Sequence, residues 1–93
     1  MTLSEILNTP DTKLIDVRTP LEFNIGHVKG AINIPLDQFQ ARYKEINGLG
    51  KNPVVFYCRS GARSSQAVVY LQQLGIKNIY NGGGIDNIEL HLN

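Results

Sequence analysis

The only cysteine of the chain, Cys58, lies in a segment whose residue types favour an ionised thiol. It follows an apolar run at 54–57 and precedes the loop Arg59-Ser60-Gly61-Ala62-Arg63-Ser64 and a predicted helix. The free backbone N–H groups and the dipole at a helix start stabilise negative charge. Successive amides in a tight turn form an anion-binding nest, and Gly61 permits the backbone angles that such a turn needs. With the charges of Arg59 and Arg63 added, we expect a pKa for Cys58 below the value of about 8.5 for free cysteine.

A nucleophilic thiolate in an anion-binding loop indicates a substrate that is an anion with an electrophilic centre. Thiosulfate, phosphate esters and arsenate all fit this description, so the chemistry of the loop leaves them open. A buried, inert cysteine is the other interpretation of a lone thiol after an apolar strand. The two nearby arginines disfavour it, because charges beside an inert thiol need solvation and bring it no benefit.

Other polar residues near predicted strand and helix ends have structural interpretations. Asp16 ends an apolar strand and supports the site by accepting backbone N–H bonds or by pairing with an arginine. Arg18 and Glu22 are four residues apart at a helix start, and we expect them to pair with each other. His27 is expected to bond backbone groups near a helix end. With one Cys and two widely separated His, the chain predicts no metal site and no cofactor.

Short apolar strands alternate with capped helical segments, which predicts an α/β fold with a largely parallel sheet. The predicted strands are 14–17, 31–34, 54–57 and 77–80. Helices are predicted from capping boxes at 2–5 and 19–22, from near Asp37, and after the cysteine loop with Ala67, Val68, Leu71 and Leu74 on one face. The run 82–84 is expected to turn sharply, and 85–93 to form a short tail.

Length and charge exclude several classes of protein. The 93 residues predict one domain, 1–93, and a net charge of +1 lacks the basic excess typical of binding to nucleic acid or anionic membranes. One cysteine cannot form an intramolecular disulfide. No leader of basic and then apolar residues is visible, and no apolar run approaches about 20 residues. We therefore expect a cytoplasmic location, or a periplasmic one if a leader has been removed.

Four segments, in order, resemble the signatures of rhodanese-like domains. The loop from Cys58 to Arg63 resembles that family's active-site pattern Cys-x-x-Gly-x-Arg. The segment 14–18 is similar to the first family signature, Glu22-Phe23 with 26–35 to the second, and 80–84 to the glycine-rich segment after the last strand. The small phage-shock thiosulfate sulfurtransferases share this pattern most closely. A first strand before the opening helix is missing, so the resemblance implies four strands rather than five, with helices on both faces.

The resemblance implies sulfur transfer in two halves through a persulfide on Cys58. The loop amides from Arg59 to Ser64 would hold the persulfide, and Arg59 and Arg63 are equal candidates to bind the oxyanion of a small sulfur donor such as thiosulfate. The acceptor would be cyanide or a thiol, including a thioredoxin-like or sulfur-relay protein. Many members carry a tryptophan after the glycine run. This chain has none, and Ile85 or Ile88 is expected to cover that face.

Two alternatives are weighed against sulfur transfer. Cysteine phosphatases and arsenate reductases form one class, but the phosphatase loop has five residues between Cys and Arg, whereas four separate Cys58 from Arg63 here. A shorter ring of amides cannot surround a phosphoryl group. A non-catalytic binding or regulatory module is the second alternative. It requires a degraded loop, and this loop retains Cys58, Gly61 and Arg63.

Overall fold

A computed structural model describes residues 1–93. Its four parallel strands form one sheet. The strands are β1 (Lys13–Asp16), β2 (Ile32–Asn33), β3 (Val54–Cys58) and β4 (Ile79–Gly84), and their order in the sheet is β2-β1-β3-β4. The predicted α/β class, the parallel sheet and its four strands are confirmed. Because all strands point the same way, their carboxyl ends share one edge of the sheet. Asp16, Cys58 and Gly84 lie at that edge.

The central strand β3 is buried at all five positions, since helices cover both faces of the sheet. On one face, α4 (Ala62–Gln73) packs on Phe56 through its buried residues Ala67, Val68 and Leu71. On the other face, α1 (Leu3–Leu7) and α5 (Ile85–His91) cover Val55 and Tyr57. A strand between two apolar layers must be apolar throughout, which explains the uninterrupted run before Cys58.

Both predicted capping boxes are present. At α1, Thr2 Oγ1 accepts the Glu5 N–H at 3.2 Å and the Glu5 carboxylate accepts the Thr2 N–H at 2.9 Å. At α2 (Pro20–Ile25), Thr19 and Glu22 make the same reciprocal pair. These local bonds satisfy N–H groups that a helix start leaves free, so sequence alone locates them well.

The helix predicted from near Asp37 is broken into short turns. A 3₁₀ turn at Leu36–Gln38, helix α3 (Phe39–Arg42) and a 3₁₀ turn at Tyr43–Glu45 take its place. The backbone leaves helical values at Gln38 (φ −107°, ψ 0°) and at Arg42 (φ −123°, ψ −5°). The predicted apolar face still packs inward, with Phe39 1% and Ile46 5% exposed.

Three predictions for the C-terminal third are wrong. The run Gly82-Gly83-Gly84 is not a sharp turn, because β4 continues through it to pair Gly84 with Cys58. The segment 85–93, expected to be a short tail, instead forms helix α5, and its Ile88 is fully buried against Val55 and Tyr57. Leu74 lies just beyond α4 and is 49% exposed, so it does not belong to the apolar face.

No helix is both long and apolar enough to span a membrane.

Candidate active site

Cys58 is the last residue of β3 and is 1% exposed. Its neighbour on β4 is Gly84, and the chain continues through the three residues 59–61 into α4. The thiol therefore lies at the carboxyl edge of the sheet, below the N-terminus of a twelve-residue helix. This is the edge at which open parallel sheets bind ligands.

Gly61 shapes the turn that surrounds the sulfur. It caps α4 with φ 100°, in the left-handed region that glycine adopts without a steric penalty. A Cβ at this position would lie 3.2 Å from the Gly83 Cα, so the neighbouring strand also excludes a side chain. In this conformation the Gly61 N–H donates to the Cys58 Sγ at 3.0 Å. The predicted tight turn is therefore present, with a backbone N–H directed at the sulfur.

Hydrogen bonds set the acidity of the thiol. Burial raises the pKa of Cys58, but the Ser64 hydroxyl and the backbone N–H groups of Ser64, Ser60 and Gly61 outweigh burial and lower that pKa to about 7. The lowered pKa agrees with the prediction from the loop. The loop amides were part of that prediction, whereas the Ser64 hydroxyl, the largest of the contributions that lower the pKa, was not.

Arg63, in the first turn of α4, is paired with a residue of another helix. Arg63 Nη1 lies 2.7 Å from Glu22 Oε1 and Arg63 Nη2 lies 3.0 Å from Glu22 Oε2, so α4 is tied to α2. This contact, with help from Thr19, holds the pKa of Glu22 at about 2. The expected pair between Arg18 and Glu22 is wrong, since the carboxylate of Glu22 faces Arg63.

Arg18 instead pairs with Asp16. The guanidinium lies 2.7 Å from Asp16 Oδ2, and the Arg18 N–H donates to Asp16 Oδ1 at 2.8 Å. The Asp16 side chain is fully buried and that of Arg18 is 8% exposed. The structural interpretation of Asp16 is confirmed in both its forms, a backbone N–H bond and an arginine pair.

Arg59 is the one arginine of the chain without an ion pair or a side-chain hydrogen bond. It is exposed and lines an open cavity of about 510 Å³ beside the cysteine loop. The remaining residues that line the cavity are Arg18, Glu22, Ile25, Ile85 and Asp86. Arg59 is thus free to meet an anion that arrives from solvent.

Asn81 is a residue of the site that the sequence analysis did not identify. Asn81, on β4, accepts a hydrogen bond from the Ser64 hydroxyl at 2.6 Å and donates to the Gly61 carbonyl at 3.1 Å. Ser64 is fully buried with its Oγ 3.5 Å from the Cys58 Sγ. The signal available in the sequence was the place of Asn81 next to the glycine run, at the end of the strand that neighbours β3.

The other predicted residues are distributed around the loop. Ser60 and Ala62 are exposed; the Ser60 N–H contributes to the lowered pKa of Cys58, and Ala62 begins α4. His27 stacks on Phe23, and its Nδ1 lies 2.8 Å from the Phe23 carbonyl oxygen, as predicted for a residue at a helix end. No group of three or more His, Cys, Asp or Glu residues lies close enough together to hold a metal ion.

A strand-loop-helix cysteine site on a four-stranded parallel sheet defines the class of the protein. The family model for the rhodanese-like domain matches residues 2–90, and the chain therefore belongs to the rhodanese-like family.

The relatives are named for different activities. Thiosulfate sulfurtransferase PspE of Escherichia coli is 37% identical over 76 residues, which are 82% of this chain and 73% of that protein. A solved structure described as a rhodanese with anions from E. coli has a TM-score of 0.75 at 36% identity, covering 82% of this chain and 89% of the other. A tRNA uridine(34) hydroxylase of Pelagibacter ubique is 36% identical over 86 residues, covering 90% of this chain and 29% of the relative. The chain thus spans only about a quarter of the length of such hydroxylases.

Proposed function

We propose that this chain is a sulfurtransferase that carries sulfane sulfur from thiosulfate, or a related small anion, as a persulfide on Cys58. The observation that carries the proposal is the Gly61 N–H donated to a buried Cys58 Sγ at 3.0 Å, within a turn of amides that holds the pKa of the thiol at about 7. About half of the thiol is then ionised near neutral pH, so a nucleophile exists without a general base.

In the first half-reaction, the Cys58 thiolate attacks the outer sulfur of thiosulfate. A bond forms between Sγ and that sulfur while the sulfur–sulfur bond of thiosulfate breaks, and its electron pair leaves with sulfite. The negative charge then lies on the terminal sulfur of the persulfide, where the amides of Ser60, Gly61 and Ser64 stabilise it.

In the second half-reaction, an acceptor nucleophile, either cyanide or a thiolate, attacks the terminal sulfur. The electron pair of the Cys58 persulfide bond returns to Sγ, which regenerates the thiolate. These 93 residues hold no second cysteine, so an acceptor thiol lies outside them. A thiol on a thioredoxin-like or sulfur-relay protein fits this step, as does a small thiol.

Arg59 supplies donor binding in this scheme. Arg63 already pairs with Glu22, whereas Arg59 is exposed and unpaired next to the nucleophile. An oxyanion held at Arg59 directs the outer sulfur of thiosulfate towards the loop. The small size of sulfur also suits a cysteine that is only 1% exposed, because a larger electrophilic centre needs the loop to open.

The experiment records the intact mass of the reduced protein before and after thiosulfate, with Cys58→Ser as the matched control. We expect a gain of one sulfur atom on the wild type only, and its loss when cyanide is added. A wild type that gains no sulfur from thiosulfate or from a polysulfide, while Cys58 still reacts with iodoacetamide, contradicts the proposal.

The hydroxylase relatives provide a second candidate function, action on tRNA as part of a longer protein. Their match is confined to a part of their length that corresponds to this domain. The net charge of +1 disfavours direct binding of tRNA by this chain, because phosphate contacts need clustered cations. Salt-dependent binding of tRNA to the isolated chain is the result that favours this candidate.

A further inference from the structure

The Ser64 hydroxyl has one hydrogen and three acceptors within reach. Asn81 Oδ1 lies at 2.6 Å, the Gly61 carbonyl oxygen at 3.1 Å and the Cys58 Sγ at 3.5 Å. A hydroxyl donates to one acceptor at a time and offers its lone pairs to the others. The contact with Asn81 is the shortest of the three, which favours donation to Asn81 over donation to an uncharged sulfur.

The amide of Asn81 has only one orientation that fits its neighbours. Its Oδ1 accepts the Gly83 N–H at 2.9 Å, and its Nδ2 donates to the Gly61 carbonyl at 3.1 Å. A flipped amide would set an N–H against the Gly83 N–H and an oxygen against the Gly61 oxygen. Asn81 therefore presents an acceptor to Ser64 whatever the state of Cys58.

The register of β4 brings Asn81 to this position, because Asn81 pairs with Phe56 of β3, whose side chain packs against α4. Phe56 pairs with Asn81 and Cys58 pairs with Gly84, so two steps along β3 correspond to three along β4. The extra residue lies in the glycine run and turns the end of β4 against the active-site loop. Asn81, Ser64 and Cys58 thereby form a line of side chains across β4, α4 and β3.

The hydrogen-bonding role of the Cys58 sulfur changes with its protonation during the reaction cycle, whereas Asn81 always presents an acceptor. A protonated Cys58 has a hydrogen to donate to Ser64 Oγ, and Ser64 then donates to Asn81. A thiolate has a full charge to satisfy, and a hydrogen bond to a charged acceptor is stronger than one to a neutral amide. If Ser64 turns to the thiolate, Oδ1 of Asn81 keeps its hydrogen bond from the Gly83 N–H, so this acceptor retains a partner.

We propose that Asn81 is a positioning residue. Its Oδ1 accepts the Ser64 hydroxyl hydrogen while the Cys58 sulfur is uncharged, and Ser64 donates that hydrogen to the sulfur instead when the sulfur is a thiolate. The uncharged states are the thiol and the persulfide, whose charge lies on the outer sulfur. Asn81 thus competes with the thiolate for a single hydrogen. The proposal relies on the proposed function only for the persulfide state, and its test needs no sulfur donor.

Charged groups around the site come from several elements. The loop supplies Arg59, α4 supplies Arg63 paired with Glu22 of α2, the end of β1 supplies Asp16 paired with Arg18, and α5 supplies Asp86. β4 carries no charged residue. Since Asn81 is neutral, its removal changes none of these charges, and an effect on the thiol must arise from hydrogen bonds.

The test is the pH profile of Cys58 alkylation by iodoacetamide in a double-mutant cycle of Asn81→Ala and Ser64→Ala. Ser64→Ala removes a donor to the thiolate and should raise the midpoint by about half a unit to one unit. Asn81→Ala removes the competitor and should lower the midpoint by about half a unit. In the Ser64→Ala background, Asn81→Ala should cause no further fall.

Asn87→Ala is the matched control. Asn87 Nδ2 donates to the Gly82 carbonyl at 2.8 Å, so this amide also tethers the glycine run but does not touch Ser64. Its removal should leave the alkylation midpoint unchanged. A fall equal to that of Asn81→Ala would mean that any loosening of β4 shifts the thiol, and it would overturn the proposal.

Other outcomes also decide the question. An unchanged midpoint in Ser64→Ala, a rise in Asn81→Ala, or the same Asn81→Ala shift with and without Ser64 each contradicts the proposal. If Asn81→Ala does not fold, Asn81→Asp keeps the acceptor and adds charge, so the midpoint should rise, and that rise should shrink by at least half in the Ser64→Ala background. A rise of equal size in both backgrounds rejects a role through Ser64.

Discussion

Arg63 and Glu22 form a two-point ion pair, with nitrogen–oxygen distances of 2.7 and 3.0 Å, that joins α4 to α2 beside the active-site loop. The two residues are 41 positions apart in the chain. Both side chains are about one-third exposed, at 32% and 29%, so solvent weakens the pair without abolishing it. The pair removes Arg63 from the set of free cations and leaves Arg59 as the arginine available to an incoming anion.

Glu22→Gln should alter the acid sensitivity of the fold. The pKa of Glu22 is lowered to about 2, mainly by Arg63, so its contribution to stability is present above the ordinary carboxyl range and is lost as the pH falls towards 2. The free energy of unfolding of the wild type should therefore fall more steeply between about pH 4.5 and pH 2 than that of the variant. Urea denaturation at several pH values measures this. Parallel curves would contradict the role of the pair, and Glu89→Gln, at an exposed carboxylate without an ion pair, is the control.

Arg59→Gln should weaken binding of the sulfur donor and leave the chemistry largely intact. Loss of one charge-assisted contact should raise KM for thiosulfate about 3- to 10-fold with kcat nearly unchanged, and should reduce the inhibition of the reaction by salt. Steady-state kinetics with cyanide as acceptor provide the measurement. Arg42→Gln, remote from the loop and paired with Glu45, should behave as the wild type. An unchanged KM in Arg59→Gln would show that another group binds the sulfur donor.

Gly84→Ala should displace the loop rather than unfold the protein. A Cβ on Gly84 would overlap the carbonyl oxygen of Arg59, and φ at this residue is −86°, so backbone strain plays no part. We expect sulfur loading of Cys58 to slow at least tenfold, with a loss of about 1–3 kcal/mol in stability. Gly26→Ala is the matched control, because its backbone is extended and no atom lies within 4 Å of the added Cβ. Equal loading rates in the two variants would show that the loop tolerates the shift.

Asp16→Ala should destabilise the fold by about 3–5 kcal/mol, because it leaves a buried Arg18 without its partner. If Asp16 acts only in structure, Asp16→Asn at low temperature should keep the pH midpoint of Cys58 alkylation within experimental error. Thermal unfolding and alkylation profiles, with exposed Asp37→Asn as control, separate the two effects. A change in the pH midpoint without a change in stability would assign Asp16 a part in the chemistry.

The sequence by itself determined the features that depend on neighbours along the chain. The capping boxes of Thr2 and Thr19, the buried strand before Cys58 and the amide turn at Gly61 all arise from bonds that span a few residues, so residue types and spacing are enough to predict them. The same reasoning placed Cys58 at the edge of the sheet and predicted its lowered pKa.

Only the tertiary structure decided which side chains meet across elements. Glu22 is four residues from Arg18 in sequence, yet the two do not pair. Arg18 forms a buried ion pair with Asp16, and Glu22 pairs with Arg63 of another helix. The sequence predicted a turn at the glycine run, yet β4 continues through it beside Cys58, and the strand register places Asn81 next to Ser64. Contacts between residues far apart depend on strand register and on competition among partners. Residue spacing along the chain determines neither the strand register nor the outcome of this competition. The partners of Arg63 and Ser64 are therefore known only from the folded chain.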